Sequence, residues 1–116
     1  MEKSNEMAKI VYHALDEKKA QDIKVIGISE ISVIADYFII ANGTNVTQIQ
    51  ALVDNVEGKL QESGYQVRRK EGSKNSSWIL MDYGDVIVHI FDKEDRLFYD
   101  LERIWRDGHT ILIDDL

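Results

Sequence analysis

A chain of 116 residues with 44% hydrophobic content has room for one core of ordinary size and none for a second domain. It contains no Cys, which excludes disulfides, thiolate zinc sites and Cys nucleophiles. A net charge of −7 argues against a partner that is mainly nucleic-acid backbone, because phosphate binding needs clustered Lys and Arg. A basic protein surface suits it better. The opening Met1-Glu2-Lys3-Ser4-Asn5-Glu6 is polar, and no apolar run reaches the length of a membrane span or a secretory core. A soluble, cytoplasmic protein with no membrane contact is expected.

From Glu2 to Lys19 the apolar residues Met7, Ile10, Val11, Ala14 and Leu15 form one stripe of an amphipathic helix, with Ser4 as its expected N-cap. The Asp16 to Lys19 charges read as its solvated end. Asp22 to Ile28 alternates as a strand does. Ala35 to Asn42 is apolar on both faces apart from Asp36, the pattern of a central strand. Gly43, Thr44 and Asn45 then break the strand and open a helix that Thr44 or Asn45 can cap, Asn45 with Gln48 approximating a capping box. Val46, Ile49, Val53, Val56 and Leu60 are its expected buried stripe, and Gly64 sits where a left-handed residue would end it. Gln66 to Lys70 reads as a basic strand, so that strand, helix and strand predict a right-handed parallel crossover and a mixed sheet.

Trp78 to Phe91 reads as a β-hairpin, with Asp82-Tyr83-Gly84-Asp85 supplying the turn and Gly84 free to take a positive φ. With Tyr83 and Gly84 as the two loop residues, Asp82 faces Asp85, Leu80 faces Ile87 and Trp78 faces His89. Ile79, Met81, Val86, Val88 and Ile90 then form a purely apolar core face. The opposite face mixes an indole, an imidazole and two carboxylates, a composition suited to meeting a partner. Arg96 to Trp105 places Leu97, Leu101 and Ile104 or Trp105 at helical spacing. Residues 106–116 mix acids with Ile111, Leu112 and Ile113 and are expected as a loosely held acidic tail, the alternative being that Ile111 to Ile113 joins a sheet edge or a second subunit. The fold class is therefore α/β: a single domain over 1–105 with a mixed five-stranded sheet and flanking helices in the order α-β-β-α-β-β-β-α.

The candidates for chemistry have plainer readings beside them. Asn42 to Asn45 lies between a strand and a helix, where backbone N–H groups bind anions, but it lacks the glycines of a dinucleotide loop and the Lys of a Walker loop. Of the acid cluster Asp82, Asp85, Asp92 and Asp95, the first two flank a turn rather than projecting together from one strand, which suits turn formation better than a two-metal site. His13, His89 and His109 fall at no spacing that would bind zinc from one element. The aromatics Trp78, Phe91, Phe98, Tyr99 and Trp105 read first as core, yet their interleaving with Asp and Arg has the makeup of a binding hot spot. No cofactor or metal is expected, and no enzyme.

Asp36 to Thr44, Glu71-Gly72, the Trp78 to Phe91 hairpin and the Arg96-Leu97-Phe98-Tyr99-Asp100-Leu101-Glu102 helix, in this order, resemble the ribosomal silencing factor family, also called the Iojap or RsfS family. The resemblance extends to about Trp105. It implies a translation repressor that binds the large ribosomal subunit through one basic ribosomal protein at the subunit interface, the universal large-subunit protein number fourteen. Bound there, it would exclude the small subunit sterically when nutrients are scarce and assist large-subunit assembly. The resemblance also implies a nucleotidyltransferase-like fold without the catalytic carboxylates, and self-association into a homodimer. Trp78, Asp82 and His89, with Arg96, Tyr99 and Asp100 on the adjoining helix, are the expected contact residues. Two other readings stand beside it: a divergent nucleotide-binding or nucleotidyltransferase-like enzyme using Asn42 to Asn45 and the turn acids, and an assembly factor touching rRNA through Arg68-Arg69-Lys70.

Overall fold

The computed structural model describes residues 2–29, 35–72, 76–92, 109–111, 113 and 116. The first helix, α1, spans Glu2–Glu17. Met7, Ala8, Val11, Ala14 and Leu15 form its buried stripe, as hydrophobic spacing dictates. Ser4 is not its cap: the helix starts two residues earlier, and Ser4 is packed inside it at 1% exposure. At the other end the Lys19 N–H bonds the Asp16 carbonyl at 2.9 Å and the Ala20 N–H bonds that of Leu15 at 3.0 Å. That closure puts Lys19 in the left-handed region, φ +63°, where glycine is the usual occupant.

Strand β1 (Gln21–Gly27) and strand β2 (Tyr37–Gly43) pair antiparallel, with an irregularity between Gln21 and Lys24. Every residue of β2 is buried, which is why its sequence is apolar on both faces. Helix α2 covers Val46–Glu62. Of the two expected caps it is Asn45 that serves, its Oδ1 accepting the Gln48 N–H at 2.8 Å. Its buried stripe is Ile49, Leu52, Val53, Val56 and Leu60; Val46, expected among them, is 36% exposed because it stands on the first turn, at the helix end. Gly64 takes φ +87° and ends α2, its N–H bonding the Gln61 carbonyl at 3.0 Å while the Tyr65 N–H bonds that of Leu60 at 2.9 Å.

Three strands follow: β3 (Arg69–Glu71), β4 (Trp78–Asp82) and β5 (Val86–Asp92), and a short β6 (His109–Ile111) pairs antiparallel with β1. The sheet order is β3-β4-β5-β2-β1-β6, with β2 and β5 parallel and the other neighbours antiparallel. The five expected strands therefore form one mixed sheet. The edge strand β6 shares only Ile111 with the Ile111 to Ile113 segment read from the sequence. The connection from β2 through α2 does lead to a strand running the same way, but β4 and β5 lie between the two. Long apolar β5 pairs with β2 along its whole length, whereas β3 is three exposed, charged residues, a composition that sits at an edge. The expected helix Arg96 to Trp105 lies outside the described residues.

Both helices pack on one face of the sheet, over Val25, Tyr37, Ile39, Ala41, Ile79, Met81, Val86, Val88 and Ile90. The core face read from the hairpin is thus the face that the helices cover. The other face holds a second cluster, Ile26, Ile28, Ala35, Phe38, Ile40 and Phe91, with Trp78 and Ile87 packed against it.

The hairpin register differs from the two-residue expectation. Asp82 pairs with Ile87, Leu80 with His89 and Trp78 with Phe91, leaving the four residues Tyr83 to Val86 beyond the last β4–β5 pair, closed by the Tyr83 N–H on the Val86 carbonyl at 3.0 Å, with Val86 already in β5 and paired to Tyr37. Two attachments lengthen the turn. The Asp82 Oδ1 accepts the Gly84 N–H at 2.8 Å, with Gly84 at φ +87°, and the Asp85 carbonyl is drawn to β2 by the N–H groups of Asp36 at 2.8 Å and Tyr37 at 3.2 Å. The slip is by two residues, so every side chain keeps its face.

Tyr83, one of the expected loop residues, is instead buried at 5% exposure in the helix-covered core. Its hydroxyl is without a hydrogen-bond partner among the described residues, and burial, reinforced by Glu57, raises its pKa above the ordinary tyrosine value. An unpartnered buried hydroxyl is a standing desolvation cost. Tyr83→Phe is expected to stabilise the protein by about 1 kcal/mol, read as a higher urea midpoint at unchanged m-value.

Candidate partner-binding surface

Trp78 opens β4 and is half-buried, its ring stacked on Phe91 with centroids 5.2 Å apart and planes at 24°. Its indole N–H donates to His89 Nδ1 at 3.0 Å. His89 lies opposite Leu80 on β5, two residues along from the position facing Trp78 and so on its diagonal, and its ring stacks on Phe38 of β2 at 4.4 Å. The imidazole is 5% exposed, and burial lowers its pKa from 6.5 to about 4, so it is neutral near pH 7. An indole N–H can only donate; Nδ1 must therefore be the bare nitrogen, which places the ring proton on Nε2.

Asp82 ends the same strand on the same face, about 13 Å from Trp78 by strand rise. It is half-exposed; one carboxylate oxygen holds the Gly84 N–H, and its backbone carbonyl accepts the Arg68 N–H at 2.8 Å. The structure therefore puts Trp78, His89 and Asp82 along one face of the β4–β5 pair, with two of them reaching the surface and His89 beneath. Arg96, Tyr99 and Asp100 lie outside the described residues. Phe38 also belongs to this face, beside His89. Its signal was present, since it shares a strand parity with Ile40, but only the parallel pairing of β2 with β5 brings it to His89.

The other candidates are occupied locally. At the Asn42 to Asn45 turn, the Thr44 N–H and hydroxyl both bond Gln48 Oε1, at 2.6 and 2.8 Å, so donors that an anion would use are already taken. The same Gln48 carboxamide donates through Nε2 to the Lys18 and Lys19 carbonyls at 3.2 Å, tying the end of α1 to the start of α2. Of the basic triplet, Lys70 meets Glu57 at 2.8 Å, Arg69 meets Glu71 at 3.4 Å, and the Arg68 guanidinium lies over Gly84. Among the described residues no group of three His, Asp or Glu side chains is placed to hold a metal ion, and no helix is long and apolar enough to cross a membrane.

Comparison with known proteins assigns the chain to a family. The family model described as "Ribosomal silencing factor during starvation" matches residues 1–116. The chain is 37% identical over 108 residues to "Ribosomal silencing factor RsfS" of Halalkalibacterium halodurans, covering 93% of this chain and 92% of that one. To the Bacillus subtilis protein of the same name it is 41% identical over 100 residues, covering 86% and 85%. A crystal structure of a Chromobacterium violaceum protein superposes with a TM-score of 0.83 at 32% identity, covering 92% of this chain and 88% of that one. With its sequence matched from end to end and its fold shared with a solved relative, the chain belongs to the ribosomal silencing factor family.

Proposed function

We propose that the protein represses translation in the cytoplasm by binding the large ribosomal subunit through its universal protein number fourteen and sterically excluding the small subunit. The observation that carries this reading is the full-length match to a family named for ribosomal silencing. The physical features support it. A net charge of −7 complements a basic ribosomal protein, and the half-exposed Trp78 with Asp82 on one face provides an aromatic anchor beside a carboxylate. Trp78 and Asp82 are the proposed contacts among the described residues, with Arg96, Tyr99 and Asp100 completing the set. The mechanism is occupancy and needs no turnover. Late large-subunit assembly and a homodimer belong to the same reading.

Co-sedimentation with isolated large subunits, followed by light scattering during addition of small subunits, tests it. The protein should pellet with large subunits and reduce the joining signal in proportion to occupancy. Free passage of small subunits onto fully occupied large subunits would sink the steric mechanism. The nucleotide-binding alternative has a separate test, because a ligand specific for the native state must raise its melting temperature. ATP with Mg²⁺ is expected to leave the melting temperature unchanged, since Gln48 already engages the Thr44 donors. A rise of several degrees would favour the enzyme reading.

A further inference from the structure

We propose that His89 is a positioning residue: it makes no contact with the partner itself but fixes the Trp78 indole in the orientation that the partner meets. The proposal rests on the reading of Trp78 as a contact, and it starts from geometry. Trp78 faces Phe91 across the β4–β5 ladder, and His89 faces Leu80, so the two side chains meet only along the diagonal. Diagonal neighbours in a sheet are touched by long or aromatic side chains alone. Here they are joined by the 3.0 Å bond from the indole N–H to Nδ1.

The imidazole is itself immobilised. Phe38 stacks on it at 4.4 Å and 29°, and the Phe91 ring lies 5.8 Å away at 8°. Trp78 rests on Phe91 at 24° and sits 5.9 Å from His89 at 27°, so the four rings run nearly parallel. Packing alone would accept a phenylalanine at position 89. What only a neutral imidazole adds is an acceptor lone pair in the ring plane, aimed at the indole N–H, with no charge to desolvate. A half-exposed tryptophan on ring contacts alone would rock and flip; one held by a directional bond to a buried ring has its orientation set before the partner arrives. Ordering a side chain in advance removes part of the entropic cost of association.

The test reads the bond in the free protein and its effect on binding separately. In ¹⁵N-labelled protein, with Trp78→Phe used to assign its resonance, the Trp78 indole N–H should exchange with solvent far more slowly than that of free tryptophan. His89→Phe keeps the ring stack and removes the acceptor; it should free the indole N–H and weaken affinity for large subunits about tenfold. His89→Asn restores an acceptor at the Nδ1 position and should recover most of both. In a Trp78→Phe background, His89→Phe should cost nothing further. An indole N–H that exchanges like free tryptophan overturns the proposal even if no His89 variant folds. So does an affinity unmoved by His89→Phe once the indole is freed, or an equal loss in the Trp78→Phe background. Undiminished binding by Trp78→Ala is a different result: it removes Trp78 from the interface, while the exchange measurement still reports whether His89 holds it.

Discussion

Replacing Trp78 by alanine is expected to weaken binding to isolated large subunits by about 100-fold or more while leaving a cooperatively folded protein, the size of a dominant interface residue. Tryptophan leads the residue types that carry binding energy, because one rigid side chain covers a large area with two rotatable bonds. Trp78 has the further advantages of half exposure and of a floor, Phe91, that is fully buried beneath it. Its removal strips one ring from the stack but opens no cavity in the core that the helices cover. The stability cost should stay near 1–2 kcal/mol, within what such a domain tolerates. Melting curves and a co-sedimentation titration on the same preparation separate the two effects. Asp82→Ala makes a useful contrast: it removes the carboxylate that holds the Gly84 N–H, so about 1 kcal/mol of turn stability is lost along with any contact. A tight complex formed by natively folded Trp78→Ala would exclude Trp78 from the surface.

The two described helices, the first two strands and the hairpin arms, with their inward faces, were legible in the sequence because they rest on local periodicity. Ile79, Met81, Val86, Val88 and Ile90 point to the core whether the hairpin loop has two residues or four, since a slip of two preserves alternation. The loop length itself was not legible. It depends on the Asp85 carbonyl bonding Asp36 and Tyr37, residues nearly fifty positions away that sequence spacing does not bring together. The same non-local pairing decided the fate of His89. On its own strand it sits between apolar neighbours and opposite a half-buried leucine, a pattern that fits an exposed face. Once β2 lies parallel to β5, Ile40 is its neighbour and Phe38 covers its ring. The residue read as a surface contact is thereby beneath the surface, bonded to the one that reaches it.

That burial has a consequence in acid. Near pH 7.5 the imidazole is neutral in the folded and unfolded chains alike, so it adds no slope to stability. As pH falls through 6.5 the unfolded chain binds a proton that the folded chain refuses, because burial holds the folded pKa down at about 4. The unfolded state gains, and stability declines until the folded imidazole also titrates. Over that window His89 should remove about 3 kcal/mol, a drop in melting temperature of order ten degrees, and below pH 4 its contribution should level off. Subtracting the pH profile of His89→Asn, which keeps an acceptor but does not titrate, isolates this share from that of the carboxylates. A wild-type profile parallel to that of His89→Asn between pH 7.5 and 4 would show that the imidazole is solvated after all. The chemistry at the lower end is specific: a protonated Nδ1 presents a donor to the indole N–H, so the bond that orients Trp78 cannot survive the titration. Loss of protection at the Trp78 indole should therefore follow the folded-state transition near pH 4, well below the pH at which the stability loss begins.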